Sequence, residues 1–246
     1  MSLPAITSRE QWLAARKELL LQEKELTRKR DALNTRRRLL PMVRIDKEYK
    51  FAGPEGQISL RDMFGPYRQL IVQHVMFGPD WDEPCPACSA GLAETSPPLV
   101  AHLQARDTTF AAISRAPIAS IEEVRARRGW EFSWYSSYGS DFNYDFHVTL
   151  DPSVAPIEFN YRDADELKEA GMGWILEGPS EQPGMSCFLR DGDEVFHTYS
   201  TFGRGTEQLG GAYAFLDMTA LGRQEEWEEP KGRAPAARAA VPDFAV

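Results

Sequence analysis

Two of the chain's three cysteines stand one helical turn apart, as Cys85-Pro86-Ala87-Cys88. A C-x-x-C pair that follows a hydrophobic strand and opens a helix points to thiol–disulfide exchange for a physical reason. The unpaired N–H groups and partial positive charge of a helix N-terminus stabilise a thiolate on the first cysteine. The second lies near enough to attack a mixed disulfide and release the product. Cys85 is therefore the expected attacking thiol and Cys88 the resolving thiol, and Pro86 suits the first turn of the helix they open. Asp80, Asp82 and Glu83 stand just before Cys85. Like charges disfavour a thiolate, so a modestly activated, reducing-type dithiol is expected.

Other residues compete for roles around the pair. A proton acceptor nearby would help Cys88 lose its proton, and Gln73 and His74 occupy the preceding strand. The bland reading of His74, a hydrogen-bonded histidine in an apolar strand, is preferred over the catalytic one. Phe77 and Trp81 flank the redox turn, where Trp81 either shapes a docking surface or packs. The segment from Trp130 to Phe146 is the densest in aromatics; Trp134 and Tyr138 either line a pocket there or pack under a long loop. Zinc needs four ligands, and the sequence has neither a second C-x-x-C nor two histidines at ligand spacing. Neither a metal nor a cofactor is expected. Cys187 begins a strand and reads as a small buried hydrophobe, and His197, in a hairpin, as structural.

The elements that must position the pair are legible from periodicity. Gln69–Phe77 (QLIVQHVMF) is a near-continuous apolar run bounded by Gly-Pro on both sides, as in a buried central strand. After the cysteines, 92–104 is helical but divided at Pro97 and Pro98. Residues 109–114 form the next strand, and Ser120 caps a helix over 121–128 closed by Gly129. This order makes a βαβα unit. Residues 132–144 read as a loop or short strand, and 151–183 as an irregular insertion. Cys187–Arg190 and Glu194–Tyr199 form a hairpin about Asp191-Gly192, followed by a helix over 212–221. Upstream, 43–51 alternates into a Gly53-Pro54-Glu55-Gly56 turn, a second hairpin, and 58–64 is a short helix entered through Ser59. The first 40 residues read as one long helix from Ser8, with Ser8 and Gln11 as a capping box and Pro41 as its stop. Trp12, Leu19, Leu26 and Leu33 recur every seven residues along it.

Composition bounds the class. A chain of 246 residues that is 42% hydrophobic can build a full core. Three cysteines cannot staple a secreted scaffold, and the apolar runs are too short for a membrane span. Arg9, Glu10, Arg16, Lys17 and Glu18 occupy the region where a signal peptide is apolar, so a soluble, cytoplasmic protein is expected. The net charge of -9 conceals an asymmetry: residues 1–50 hold 13 Lys and Arg against 7 Asp and Glu, and the remainder 15 against 30. An acidic body with a basic, leucine-striped arm favours self-complementarity over nucleic acid. A homodimer is expected.

Three segments, QLIVQHVMFGPDWDEPCPACSAG, GWEFSWYSSYGSDFNYDF and CFLRDGDEVFHTYSTFGRGTEQLGGAYAFLDMTALGR, resemble a bacterial thioredoxin-like family, domain of unknown function 899, over nearly the whole chain. The resemblance implies an α/β, thioredoxin-like fold: a central mixed sheet flanked by helices. It further implies a helical arm (1–41) and a thioredoxin-like domain (42–222) with an insertion at 151–183 before the last hairpin, while Pro230, Gly232, Pro235 and Ala-Arg repeats make 223–246 read as a tail. It supplies no established reaction. Thioredoxins place a proline facing the cysteines, just before the strand that begins here near Ser186. Counting back from Arg190-Asp191-Gly192 puts Gly184 or Met185 there and Pro183 one step early, so the place of Pro183 bears on substrate docking. The 59–64 segment is similar to peroxiredoxins, but the Thr or Ser usual three residues before a peroxidatic cysteine is Asp82 here. The expected activity is thiol–disulfide exchange with a protein or small disulfide and a reductase partner. The alternatives are a non-catalytic binding or scaffold protein and a thiol peroxidase.

Overall fold

Ser8 opens the first helix as its capping box requires. In the computed structural model, which describes residues 6–206 and positions 215, 216, 219, 221, 222, 224 and 229, the Ser8 hydroxyl accepts from the Gln11 N–H at 3.2 Å while the Gln11 side chain accepts from the Ser8 N–H at 3.3 Å. Helix α1 runs from Arg9 to Arg38, about 45 Å at 1.5 Å per residue. Of its residues only Asn34 and Arg38 are buried, and Arg37 lies over the Tyr199 ring at 5.4 Å. The helix therefore docks through its last turns. The stripe Trp12, Leu19, Leu26 and Leu33, with Leu13 and Leu20 beside it, stays exposed.

After α1 the chain enters an eight-stranded mixed sheet. Its strands are β1 (Val43–Arg44), β2 (Lys50–Gly53), β3 (Gly56–Ser59), β4 (Gln69–His74), β5 (Thr108–Ser114), β6 (Ser133–Ser136), β9 (Gly184–Asp191) and β10 (Glu194–Phe202). They lie in the order β1-β10-β9-β4-β5-β6-β2-β3. A separate pair, β7 (Thr149–Leu150) and β8 (Ser180–Glu181), brackets the insertion. Strand β4 lies at the centre, parallel to β5 on one side and antiparallel to β9 on the other. The helices are α2 (Pro86–Ala93), α3 (Pro97–Gln104), α4 (Ile118–Arg128), α5 (Phe142–Asp145) and α6 (Ala164–Glu169). A parallel β4-α2-α3-β5-α4-β6 run, with the β9–β10 hairpin paired to the far side of β4, makes the architecture an α/β thioredoxin-like fold.

The sheet separates two apolar layers. Leu70 and Val72 point to one face, with Phe51, Phe64, Phe142, Phe146 and Phe188. Ile71 points to the other, with Phe77, Leu92, Leu103, Phe110 and Trp134. Burial of each such side chain stabilises by about 1.5–3 kcal/mol, which is why the middle of β4, Leu70–Val72, covered on both faces, is continuously apolar. No helix among the described residues is long and apolar enough to cross a membrane.

Several local expectations are corrected. The hairpin at the Gly53–Gly56 turn joins β2 to β3, whereas Val43–Arg44 crosses to the opposite edge and pairs with β10. Ile58 and Ser59 are strand, and the helix expected over 58–64 shrinks to one 3-10 turn, Asp62–Phe64. Ser59 and Asp62 instead exchange hydrogen bonds at 2.6 and 3.2 Å. Ser120 lies inside α4, which begins directly after Pro117, while Gly129, at φ 65°, ends it as expected. Of the loop and short strand left open over 132–144, the strand forms, as β6, parallel to β5. Insertion 151–183 contains α6, a 3-10 turn at Gly173–Leu176 and β8. The helix expected over 212–221 and the tail 223–246 lie, but for isolated positions, outside the described residues.

Candidate functional site

The loop between β4 and α2 returns the chain to the sheet before the helix begins. The Cys85 N–H donates to the Met76 carbonyl at 2.9 Å, and the Ser89 N–H donates to the Cys85 carbonyl at 2.9 Å. Cys85 is thus the N-cap of α2, with Pro86 in its first turn, where the missing proline N–H costs nothing. Both cysteines are free thiols, Cys85 half-buried and Cys88 buried. Burial pushes the Cys88 thiol up to about 12; the Met76 backbone opposes this, and the neighbouring Cys85 sulfur, within hydrogen-bond reach, adds to it. One thiol is accessible and the other sheltered beside it, which is the division of labour that exchange needs.

A cavity of about 600 Å³ adjoins the pair, bounded by Cys85, Cys88, Gln73, Met76, Pro183 and Met185. Pro183 therefore lines the same cavity as the cysteines. It immediately precedes β9, which starts at Gly184, two residues earlier than sequence counting placed it. Gly184 is required by packing, because a Cβ there would lie 2.9 Å from the Phe202 ring and 3.0 Å from Val148.

His74 and Gln73 divide across the sheet as the two-residue period of a strand dictates. The Gln73 amide reaches under α2, 3.5 Å from where a Cβ on Gly91 would sit. His74 borders the cavity at the end of β4, but its ring packs against Phe142 and Phe146, with centroids 5.6 and 6.1 Å away. Its Nε2 shares a 2.7 Å hydrogen bond with Ser186. From there the chain continues through buried Ser200, at 2.8 Å, to half-buried His197, at 2.7 Å. Burial pulls His74 down to about 3, and His197 adds to the effect. The ring is thus a neutral, hydrogen-bonded member of a network with Ser186, Ser200 and His197.

The aromatic candidates separate as well. Trp134 is wholly buried, its Nε1–H donating to Ser114 Oγ at 2.9 Å, so it presents nothing to a ligand. Tyr138 is 63% exposed and does not border the cysteine cavity. Trp81 is 40% exposed and folds back over Gly78, where a Cβ would meet its Nε1 at 2.9 Å. Glu83, one of the three acids before Cys85, is paired with Arg127 and, at 2.9 Å, with Arg128. Part of the negative field expected at Cys85 is therefore neutralised. Cys187 is core: it lies in β9 with its thiol pushed up to about 12 by burial.

Met76, Gly91 and Glu94 border the cavity without having stood out in the sequence, whereas Gly184 and Met185, the positions counted for the thioredoxin proline, border it beside Pro183. Phase along β4 and β9 is the signal that finds the strand residues. The three-residue spacing of Cys85, Cys88, Gly91 and Glu94 finds the helical ones.

Comparison with known proteins agrees with the sequence resemblance. Residues 1–238 match the family model described as bacterial protein of unknown function (DUF899). No curated protein matches the chain. Among solved structures, a peroxiredoxin Q from Xanthomonas campestris is similar at 13% identity and TM-score 0.38, over 62% of this chain and 79% of that one. A PrxQ mutant from Xylella fastidiosa is similar at 11% identity and TM-score 0.42, over 69% and 91%. A putative thioredoxin reductase from Burkholderia cenocepacia is similar at 15% identity and TM-score 0.41, over 72% and 92%.

Proposed function

The chain belongs to this bacterial DUF899 family, and from its cysteine geometry we propose that it is a thiol–disulfide oxidoreductase using Cys85 and Cys88. The observation that supports this is the half-exposed Cys85 at the N-cap of α2 with buried Cys88 one turn behind it, both bordering a cavity that Pro183 also lines. The Cys85 thiolate attacks one sulfur of a substrate disulfide, forming a mixed disulfide and expelling the first substrate thiolate. Cys88 then loses its proton and attacks Cys85 Sγ, releasing the second thiolate and leaving a Cys85–Cys88 disulfide. The substrate gains two electrons and the protein loses two; a partner dithiol restores the reduced protein.

Reduced wild type is expected to reduce insulin or a small aromatic disulfide, and Cys85→Ser to abolish that turnover. Equal rates for the two proteins sink the proposal. Faster oxidation of Cys85 by peroxide than by a disulfide favours a thiol peroxidase. Unchanged thiol accessibility across the physiological redox range, alongside a saturable ligand, favours a scaffold.

The reading includes a second copy of the chain. The exposed stripe of α1 carries Trp12, Leu19, Leu26 and Leu33, and a helix this long gains most of its stability by packing an apolar face. The basic arm and acidic body are complementary in charge, which favours an arm seated on a neighbouring body. Sedimentation of the full chain is expected to show a dimer that deletion of residues 1–40 dissociates; a monomeric full chain refutes it.

A further inference from the structure

We infer that the cysteine cavity selects disulfides bearing a positive charge several residues from the reacting sulfur, with Glu94 as the specificity-determining group. This rests on the dithiol exchange proposed above. The cavity is bordered by Cys85, Cys88, Gly91 and Glu94, a row of three-residue steps that winds gradually around α2 as it climbs the helix. It therefore follows the helix from its N-cap, Cys85, to its C-cap, Glu94, a length of about 13 Å at 1.5 Å per residue.

The opposite wall is the start of β9, Pro183, Gly184 and Met185, with Gly203 beyond. Gly91 on the helix side and Gly203 on this one leave room for a substrate backbone. At about 600 Å³ the space far exceeds that for a peroxide and is of the size that holds several groups of a larger ligand. An extended chain advances about 3.3 Å per residue, so a segment bound to Cys85 reaches Glu94 in about four residues.

Among the described residues lining the cavity, Glu94 is the one with a full charge, since His74 is neutral at ordinary pH. Its carboxylate is exposed and joins no ion pair among the described residues, in contrast to Glu83, which two guanidinium groups neutralise. An unpaired carboxylate at the end of the groove attracts a cation and repels an anion, discriminating by both.

The test uses reduced full-length protein in a single turnover. Matched peptide disulfides carry a central cysteine bonded to one common small thiol, with Lys, Gln or Glu four residues to either side. Protein oxidation by the Lys peptide is expected to be about fivefold faster than by the Glu peptide at low ionic strength, converging at high salt. Glu94→Gln brings the two within about twofold, and Glu94→Lys inverts their order. Equal rates in wild type, or a ratio that survives Glu94→Gln, overturn the inference while leaving the exchange reaction standing. Failure of all three peptides to oxidise the protein overturns both.

Discussion

Replacing Cys88 with serine is expected to turn the exchange reaction into a dead end. Cys85 still attacks a substrate disulfide, because its exposure and its place at the N-cap of α2 do not depend on Cys88. The mixed disulfide then has no internal nucleophile, and the adduct accumulates to one equivalent, visible by intact mass. Release from it is expected to be more than about a hundredfold slower than from wild type, since only external thiol can attack. The buried thiol also predicts the pH dependence of the wild-type step. With Cys88 pushed up to about 12, its thiolate is scarce at neutral pH and gains about tenfold per pH unit. Resolution of the mixed disulfide is expected to accelerate about a hundredfold between pH 7 and pH 9 unless another step becomes limiting. A Cys88→Ser protein that turns over like wild type, or a resolution rate indifferent to pH, overturns this division of roles.

The second large effect concerns acid stability. His74 is held at about 3 in the folded protein, against an ordinary value of 6.5, chiefly by burial and then by His197. For a base whose folded value is depressed, the unfolded chain binds the extra proton. The stabilisation is therefore complete above pH 6.5 and is lost as pH falls toward 3. At about 1.4 kcal/mol per unit, His74 alone removes about 4–5 kcal/mol across that window. His197, also lowered by burial, acts in the same direction. Urea unfolding at a series of pH values from 7 to 4 should show this slope. His74→Gln, which keeps a polar group for Ser186 but cannot titrate, should flatten most of it. A slope unchanged by that variant contradicts the neutral, buried assignment of His74.

Much of the chemistry is legible in the sequence alone. The C-x-x-C pair between an apolar run and a helix, the central position of Gln69–His74, the capping box at Ser8 and the final hairpin all rest on local rules: helix-end chemistry, two-residue alternation and turn residues. Those rules act over a few residues, so the chain displays them directly. The weaker elements misread were those in which a short segment had to choose a distant partner. Val43–Arg44 alternates as any edge strand does, but nothing local says that it pairs with β10 and not with Lys50–Gly53. Residues 132–144, rich in Ser and Gly, left loop and short strand open, and parallel pairing of Ser133–Ser136 with β5 together with burial of Trp134 decided for the strand.

The site divides along the same line. By itself the sequence determined that Cys85 and Cys88 open a helix after a buried strand, because spacing, Pro86 and the apolar run suffice for that. Only the tertiary structure decided which residues face them. Packing turned His74 into the aromatic layer and Gln73 under α2, brought Pro183 from almost a hundred residues away in sequence to the cavity wall, and neutralised Glu83 with the last turn of α4. The face a strand residue takes and the charge it meets depend on burial and long-range register, and these are properties of the assembled sheet.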